Sequence, residues 1–295
     1  MNRNGKTRSS RQHLPLGQAF DVLVGKLSPK RQEVIRPVLE QPREFVLESL
    51  RGLSRRLQLD PSTMVRIVRG MGFGSYSEFR QYLHELSIVL ATPLDLMQTG
   101  GPNSDIPTHL RSSLDLDLKN LQSLGHSLDF RRIVRLAQRL YQARRILLLG
   151  GDMASTLVGF LEWNLTILGL PVSSAISPGS TAHRVQVVGR LDVVLAISFR
   201  RGLRQTVEGL QEARQRGAYC VAISDTYLSP LRRFAHECFN ASVESPSFAG
   251  SYVAPMALLN LIIVATANYR RARAIALLKA ADEEQRHGYR WFRDA

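Results

Sequence analysis

The sequence predicts an α/β protein of two domains, in which an all-helical N-terminal domain precedes a domain with a five-stranded parallel sheet. Residues 17–90 show only helical periodicity, whereas five short apolar runs after residue 144 alternate with helical patterns. A stretch rich in Pro, Gly, Asn and Asp separates the two regions. The length of 295 residues also exceeds that of one typical domain.

The chain is strongly basic, with a formal net charge of +14. Residues 1–90 contain fifteen Lys and Arg against eight Asp and Glu, and residues 91–295 contain twenty-four against seventeen. Each part is therefore +7, but the N-terminal part is about twice as basic per residue. This balance favours a polyanionic partner, either nucleic acid or an anionic membrane surface.

Composition argues against several classes of protein. Cys220 and Cys238 are too few for a zinc site or a disulfide framework, and we expect no metal and no cofactor. Residues 1–16 have charges but no following apolar core, so they predict a flexible basic arm rather than a signal peptide. The apolar run ALLNLIIVATA is too short to span a membrane. We therefore expect a soluble, cytoplasmic protein.

Five helices are predicted in the N-terminal domain. The first opens at Ser28-Pro29, and Pro37 is expected to end or kink it. The second, third and fifth are predicted in the segments REFVLESL, LRGLSRRL and SYSEFRQYLHEL. The fourth helix follows Asp60, which suits an N-cap, and Pro61, which suits the first helical position.

The fourth helix is amphipathic and basic. Its apolar face has the i, i+3, i+4, i+7 spacing of a buried stripe, formed by Met64, Ile67, Val68 and Met71. Its opposite face carries Ser62, Thr63, Arg66 and Arg69. Gln58-Leu59-Asp60 joins it to the third helix, and this short connection has the length found in a helix-turn-helix, whose second helix enters the major groove of DNA.

The second domain is predicted at residues 111–280, after a linker at 91–110 and before a tail at 281–295. Its five strands are predicted in RILLLGG, PVSSAI, LDVVLAISF, AYCVAISD and HECFNASV. Its helices are predicted in RRIVRLAQRLYQARR, MASTLVGFLEWNLTILG, LRQTVEGLQEARQRG and a long segment from near Tyr252. Ligands of parallel sheets bind beyond the carboxyl ends of the strands, so those ends are the candidate ligand site.

The segment LRGLSRRLQLDPSTMVRIVRGMGFGSYSEFRQYL resembles the DNA-binding part of the RpiR family of bacterial transcription regulators, notably in STMVR, the following Gly-Phe and YSEFR. In that family a helical domain precedes a sugar isomerase (SIS) domain, a flavodoxin-like three-layer fold that senses a phosphosugar or related metabolite. The five-strand half of this chain fits that order. The resemblance implies a regulator without enzymatic activity that binds double-stranded operator DNA and a small anionic effector. Because one helix-turn-helix reads a half-site, a homodimer or homotetramer follows.

The resemblance assigns the DNA contacts to the fourth helix. Ser62 and Thr63 are expected to bond to phosphates or base edges, and Arg66 to take a guanine by two parallel hydrogen bonds. Arg69 lies on the same face of the helix. The alternative is that Arg66 and Arg69 only form a solvated surface. Arg55 and Arg56 are expected to contact phosphates or only water. Gln58 stands where many such motifs place Gly, and Pro37 interrupts a helix that the family usually keeps continuous.

The expected ligand site departs from the family pattern. LLLGGDMAS resembles the first SIS loop. This resemblance implies that Gly151 and Ser155 contact the ligand. SIS proteins often read Ser-x-Ser-Gly-x-Thr at the third strand end, where this chain reads SFRRGLRQT. Ser198 matches the first serine, but the remaining positions are replaced by Arg200, Arg201 and Leu203. The usual phosphate cradle is therefore absent.

Other anion-binding groups are available near the same edge. Arg200 and Arg201 are expected to bind a carboxylate or phosphate, or else to pair with an acidic residue of a neighbouring subunit. Two further candidates precede the last helix, where they are also suited to be helix caps: Ser247 and Ser251. The alternatives are a SIS isomerase that uses Glu244 or His183 for proton transfer, and a nonspecific nucleic-acid-packaging protein, which leaves the α/β half unexplained.

Overall fold

The computed structural model describes residues 23–90, 94, 105–200, 202–226 and 229–287. The chain divides into two compact units between Val89 and Leu90. The expected basic arm at residues 1–16, the end of the expected tail beyond residue 287, and Arg201 lie outside the described residues.

The N-terminal unit is helical over its described residues. Its helices from residue 29 onward are α1 (Pro29–Glu40), α2 (Leu50–Arg56), α3 (Pro61–Gly70) and α4 (Tyr76–Leu90), and a 3₁₀ turn lies at Pro42–Glu44. The core contains Phe73, whose ring centroid lies 5.4 Å from that of Phe79 and 5.2 Å from that of Tyr82. These aromatic side chains bury large apolar areas, and they join the end of α3 to α4.

One expectation for this unit is wrong. Residues 43–50 do not form a helix of their own, because only one 3₁₀ turn forms before α2 begins at Leu50. Of the two effects expected of Pro37, an end or a kink, the end does not occur, because α1 continues to Glu40. The missing N–H of a proline removes one helical hydrogen bond. The last turn is still closed by the N–H of Gln41, which donates to the carbonyl of Pro37 at 2.9 Å.

The C-terminal unit contains the predicted five-stranded parallel sheet. Its strands are β1 (Ile146–Leu149), β2 (Val172–Ala175), β3 (Val193–Ile197), β4 (Tyr219–Ser224) and β5 (Glu237–Asn240), in the order β2-β1-β3-β4-β5. In the register of the sheet, Leu149 of β1 pairs with Ala175 of β2 on one side and with Ala196 of β3 on the other. The chain reverses direction across the sheet between β2 and β3, so β1 and β3 meet at the switch point where ligands bind in such folds.

Helices cover both faces of this sheet. They are α5 (Ile106–Ser127), α6 (Phe130–Gln142), α7 (Ala154–Ile167), α8 (Pro178–Val185), α9 (Arg204–Gln215), α10 (Val253–Tyr269) and α11 (Arg271–His287). One core joins one sheet face to α5, α6, α7 and α10, and a second core joins the other face to α8 and α9. The result is three layers, in which β1 and β3 are buried throughout.

Three features of the helices differ from the sequence prediction. Helix α5 begins at Ile106, inside the expected linker. Helix α8 was not predicted. The long final helix breaks at Arg270 into α10 and α11. No single helix among the described residues is long and apolar enough to cross a membrane. Helix α10 and residues Arg271–Glu283 reach that length and apolar composition only together, and the angle between them is 101°.

Candidate functional site

The turn between α2 and α3 is tight and left-handed. The N–H of Leu59 donates to the carbonyl of Ser54 at 2.8 Å, and the N–H of Gln58 donates to that of Arg55 at 3.1 Å. These two bonds form a Schellman motif, which requires a left-handed residue after the helix. Gln58 fills that position with a φ of 54°. Gln58 therefore occupies the turn position where many such motifs have Gly, and the turn still forms.

Asp60 caps α3, as predicted. Its carboxylate accepts from the backbone N–H groups of Ser62 at 3.2 Å and Thr63 at 3.1 Å. The hydroxyls of Ser62 and Thr63 also donate to this carboxylate, at 2.6 and 3.2 Å. The Ser62 bonds lower the pKa of Asp60. Either hydroxyl must therefore turn away from Asp60 before it can donate to a phosphate.

The two faces of α3 have the character that the sequence predicts. The apolar side chains Met64, Ile67 and Val68 are buried, at 1% exposure or less. The side chains of Arg66 and Arg69 on the other face are exposed. The first turn of a recognition helix presents its side chains to DNA, and Arg66 lies one turn after the helix begins.

Arg55 and Arg56 of α2 differ in their surroundings. Arg55 is exposed. The guanidinium of Arg56 instead donates to the carbonyl and the carboxylate of Glu44, both at 2.6 Å, and lies 4.3 Å from the ring centroid of Phe45. These contacts hold the 3₁₀ turn against α2, so Arg56 has a structural role that the sequence did not indicate.

The first candidate ligand loop follows β1. Asp152 has a φ of 49°, and its carbonyl accepts from the hydroxyl of Ser155 at 2.7 Å. The face of Gly151 on which a side chain would stand is already covered. A Cβ there would lie 2.7 Å from Nε2 of Gln205 and even closer to Cδ2 of Leu203. Gly151 is therefore required for the close approach of the protein's own side chains.

The loop after β3 is held by internal hydrogen bonds. Ser198 is buried, and its Oγ accepts from the N–H of Leu203 at 2.8 Å. The N–H of Arg200, which has a φ of 56°, donates to Oδ1 of Asp225 at 2.8 Å. Burial raises the pKa of Asp225. Ser198 thus organises the loop, and Asp225 fixes the unusual backbone of Arg200.

The segment before α10 approaches Arg200. Nη2 of Arg200 would lie 3.6 Å from a Cβ at Gly250. The N–H of Ser247 donates to Oγ of Ser245 at 3.2 Å, and Oγ of Ser251 accepts from the N–H of Val253 at 3.3 Å. The loop after β3 and the segment before α10 therefore lie close together beyond the carboxyl end of β3, and we refer to the space beside them as the opening. The hydroxyl of Ser251 also has a local role there as an acceptor.

Tyr252 lies beside this opening, with its ring centroid 5.4 Å from that of Phe199. Burial raises the pKa of Tyr252, and the nearby charges act on it with opposite signs: Arg200 lowers it, whereas Asp225 and Asp152 raise it. Sequence analysis placed Asp225 at a strand end where ligands can bind, but it assigned no ligand contact to Asp225, Gln205 or Tyr252. The positions of Asp225 directly after β4 and of Gln205 within SFRRGLRQT were the available signals.

The two residues named for the isomerase alternative, His183 and Glu244, have different surroundings in the structure. His183 is exposed on α8, and the carbonyl of Glu244 accepts from Nδ2 of Asn120 at 2.9 Å. No hydrogen bond joins His183 and Glu244 among the described residues. The described residues also contain no cluster of three or more His, Cys, Asp or Glu side chains suited to a metal ion.

Comparison with known proteins extends these observations. The SIS domain family model matches residues 139–265. An uncharacterized HTH-type transcriptional regulator of Haemophilus influenzae is 25% identical over 218 residues, which cover 72% of this chain and 75% of that protein. Bifunctional protein glk of Burkholderia mallei is 24% identical over 86% of this chain, but the match spans only 40% of that relative.

Two solved structures share the fold. The sugar isomerase domain of an RpiR transcription factor from Sphaerobacter thermophilus has a TM-score of 0.56 and 24% identity, and the match covers 58% of this chain and 97% of that chain. The Vibrio vulnificus NanR protein, complexed with ManNAc-6P, has a TM-score of 0.60 and 22% identity, with coverage of 91% and 99%.

The fold and the matched domain define a SIS-domain protein that carries a separate helical unit at its N-terminus. The helix-turn-helix geometry of α2 and α3 agrees with the regulator from Haemophilus influenzae. The chain therefore contains a SIS domain and resembles RpiR-type transcriptional regulators.

Proposed function

We propose that this regulator binds operator DNA through α3 and that a small anionic metabolite, bound by its SIS domain, changes the affinity for DNA. The observation that carries this proposal is α3 itself, a capped helix with a buried apolar face and an exposed face that bears Arg66 and Arg69. Ser62, Thr63, Arg55 and Arg56 are further proposed contacts, of which Arg56 must first leave Glu44.

The proposed effector is a sugar phosphate, a sugar acid or a related carboxylate. The contacts that we propose for it are Gly151, Ser155, Ser198, Arg200, Arg201, Ser247 and Ser251. The NanR structure with ManNAc-6P supports an effector of this general class. Because Arg201 lies outside the described residues, Arg200 is the cation on which the proposal rests. We also propose that the regulator acts in the cytoplasm without enzymatic turnover.

The DNA assignment is tested by comparing Arg66→Ala with Arg55→Ala. If Arg66 makes a bidentate contact to a guanine, Arg66→Ala should cost about 1 to 3 kcal/mol of operator affinity and relax the preference at one base pair. Arg55→Ala should weaken all sequences alike, as loss of a phosphate contact does. Fluorescence anisotropy with an operator selected from random DNA measures both effects.

Arg80→Ala is the matched control, because Arg80 is exposed on the next helix, α4, rather than on α3. It should leave operator affinity and base preference unchanged. If folded Arg66→Ala protein binds the operator as tightly as the wild type, α3 is not the recognition helix.

A further inference from the structure

The side chain of Gln205 lies across the ends of two neighbouring strands. Its Nε2 donates to the carbonyl of Gly150 at 3.3 Å and to the carbonyl of Ile176 at 3.1 Å. A carboxamide nitrogen has two hydrogens, and these two carbonyls use both. Oε1 is then the polar atom that the side chain retains for a ligand, and it can only accept a hydrogen bond.

This arrangement narrows the space beside the turn after β1. Phosphate sites in proteins rely on several donors that converge on one point, commonly backbone N–H groups beside glycines. Here the space on which a Gly151 side chain would stand is filled by a methyl group of Leu203 and by Gln205 Nε2. The N–H of Leu203 already donates to Ser198 Oγ. On this side the turn is therefore lined by a methyl group and by the Gln205 carboxamide, whose two hydrogens are both used.

The described charges around the opening also disfavour a dianion. The carboxylate of Asp225 accepts a hydrogen bond from the backbone N–H of Arg200. The charges of Arg200, Asp225 and Asp152 are all close enough to Tyr252 to affect its pKa. Two carboxylates repel a phosphate dianion more strongly than a single negative charge. They also accept hydrogen bonds from hydroxyl groups. A ligand with one negative charge and several hydroxyls complements this set.

We propose that the effector is a polyhydroxy monocarboxylic acid without a phosphoryl group, and that Gln205 determines this specificity. The proposal rests on the proposed sensing function. The carboxylate binds Arg200, a hydroxyl donates to Oε1 of Gln205, and Leu203 and Gln205 together exclude a phosphoryl group from the Gly151 turn.

Calorimetry on the full chain without DNA tests this selectivity. The probes are D-gluconate and D-galactonate, each paired with its 6-phosphorylated form, and D-glucose 6-phosphate. At least one unphosphorylated acid should bind about tenfold or more tightly than its phosphorylated partner. Tighter binding of any phosphorylated member, or binding of neither acid, overturns the proposal. Because no DNA is present, the result is independent of operator recognition.

Gln205→Ala then tests the residue itself. Loss of the hydroxyl contact should weaken the bound acid about three- to tenfold, and opening of the turn should reduce the preference over the phosphorylated partner. Gln215→Ala, at an exposed position near the end of the same helix, is the control and should change neither value. If Gln205→Ala folds, as circular dichroism would show, but keeps the wild-type selectivity, Gln205 is not the determinant.

Discussion

At the scale of single residues, unusual backbone conformations coincide with the two candidate sites. Three non-glycine residues of the described chain have positive φ: Gln58, Asp152 and Arg200. The left-handed conformation costs an L-residue about 1 to 2 kcal/mol, and such strain often accumulates where function requires it. Gln58 shapes the turn before α3, while Asp152 and Arg200 follow β1 and β3.

Gln58→Gly should stabilise the N-terminal unit by up to about 1 kcal/mol, because relief of the left-handed strain exceeds the entropy cost of glycine in the unfolded chain. Gln58→Ala removes the same side chain but retains the Cβ, so it should bring no gain. Thermal unfolding followed by circular dichroism compares the two variants. Equal stability of the Gly and Ala variants would contradict the strain at this position.

At the scale of secondary-structure elements, α5 has an apolar stripe that the described residues leave uncovered. Ile106, Leu110, Leu114 and Leu118 recur every four residues and are 73%, 67%, 61% and 51% exposed. Only the later part of α5 is buried, at Asn120 and Leu124. Exposed apolar patches of this kind mark interaction surfaces. We propose that α5 joins two copies of the chain, because a single helix-turn-helix reads only one half-site.

The double variant Leu110→Glu/Leu114→Glu should raise the dissociation constant of the dimer at least about hundredfold, since each buried leucine contributes about 1.5 to 3 kcal/mol. Sedimentation equilibrium measures this constant. Ser112→Glu introduces a charge at an exposed position between the two leucines and should have little effect. A dimer of unchanged affinity in the double variant would exclude α5 from the interface.

At the scale of the whole molecule, the two proposed sites lie in different compact units. An effector bound in one unit can alter DNA binding by the other only if it binds the DNA-competent and DNA-incompetent arrangements with unequal affinity. The coupling between them must then be reciprocal. This requirement holds whether the effector strengthens or releases DNA binding.

Arg200→Ala should weaken the effector roughly ten- to hundredfold, the value of a lost charge-assisted hydrogen bond, and leave DNA affinity without effector unchanged. In the wild type, operator DNA should shift effector affinity by the same factor as effector shifts DNA affinity. Calorimetric titrations with and without DNA measure both factors. If neither ligand shifts the affinity for the other, the two sites are not coupled, and unchanged effector affinity in the variant would remove Arg200 from the site.

Local features of this protein were predicted from its sequence. The amphipathic spacing of Met64, Ile67 and Val68 and the cap at Asp60 defined α3, because both depend on residues within a few positions of one another. The five apolar runs likewise defined the parallel sheet, since strands covered on both faces must be apolar. The departure from the Ser-x-Ser-Gly-x-Thr pattern is visible in SFRRGLRQT, and the absence of a phosphate cradle there stays a prediction.

The remaining features depend on residues that are distant in the chain. Arg56 binds Glu44 twelve positions away, in the 3₁₀ turn that stands where a helix was predicted. Gln205 reaches the carbonyl of Gly150 across fifty-five positions, and Asp225 holds Arg200 across twenty-five. Periodicity and capping describe neighbours along one helix or strand, whereas the contact of Arg56 forms only once the helices have packed, and those of Gln205 and Asp225 form only once the strands have taken their order in the sheet. The sequence by itself therefore determined α3, the five strands and the two-domain class, and the tertiary structure decided which side chains meet at the candidate ligand site.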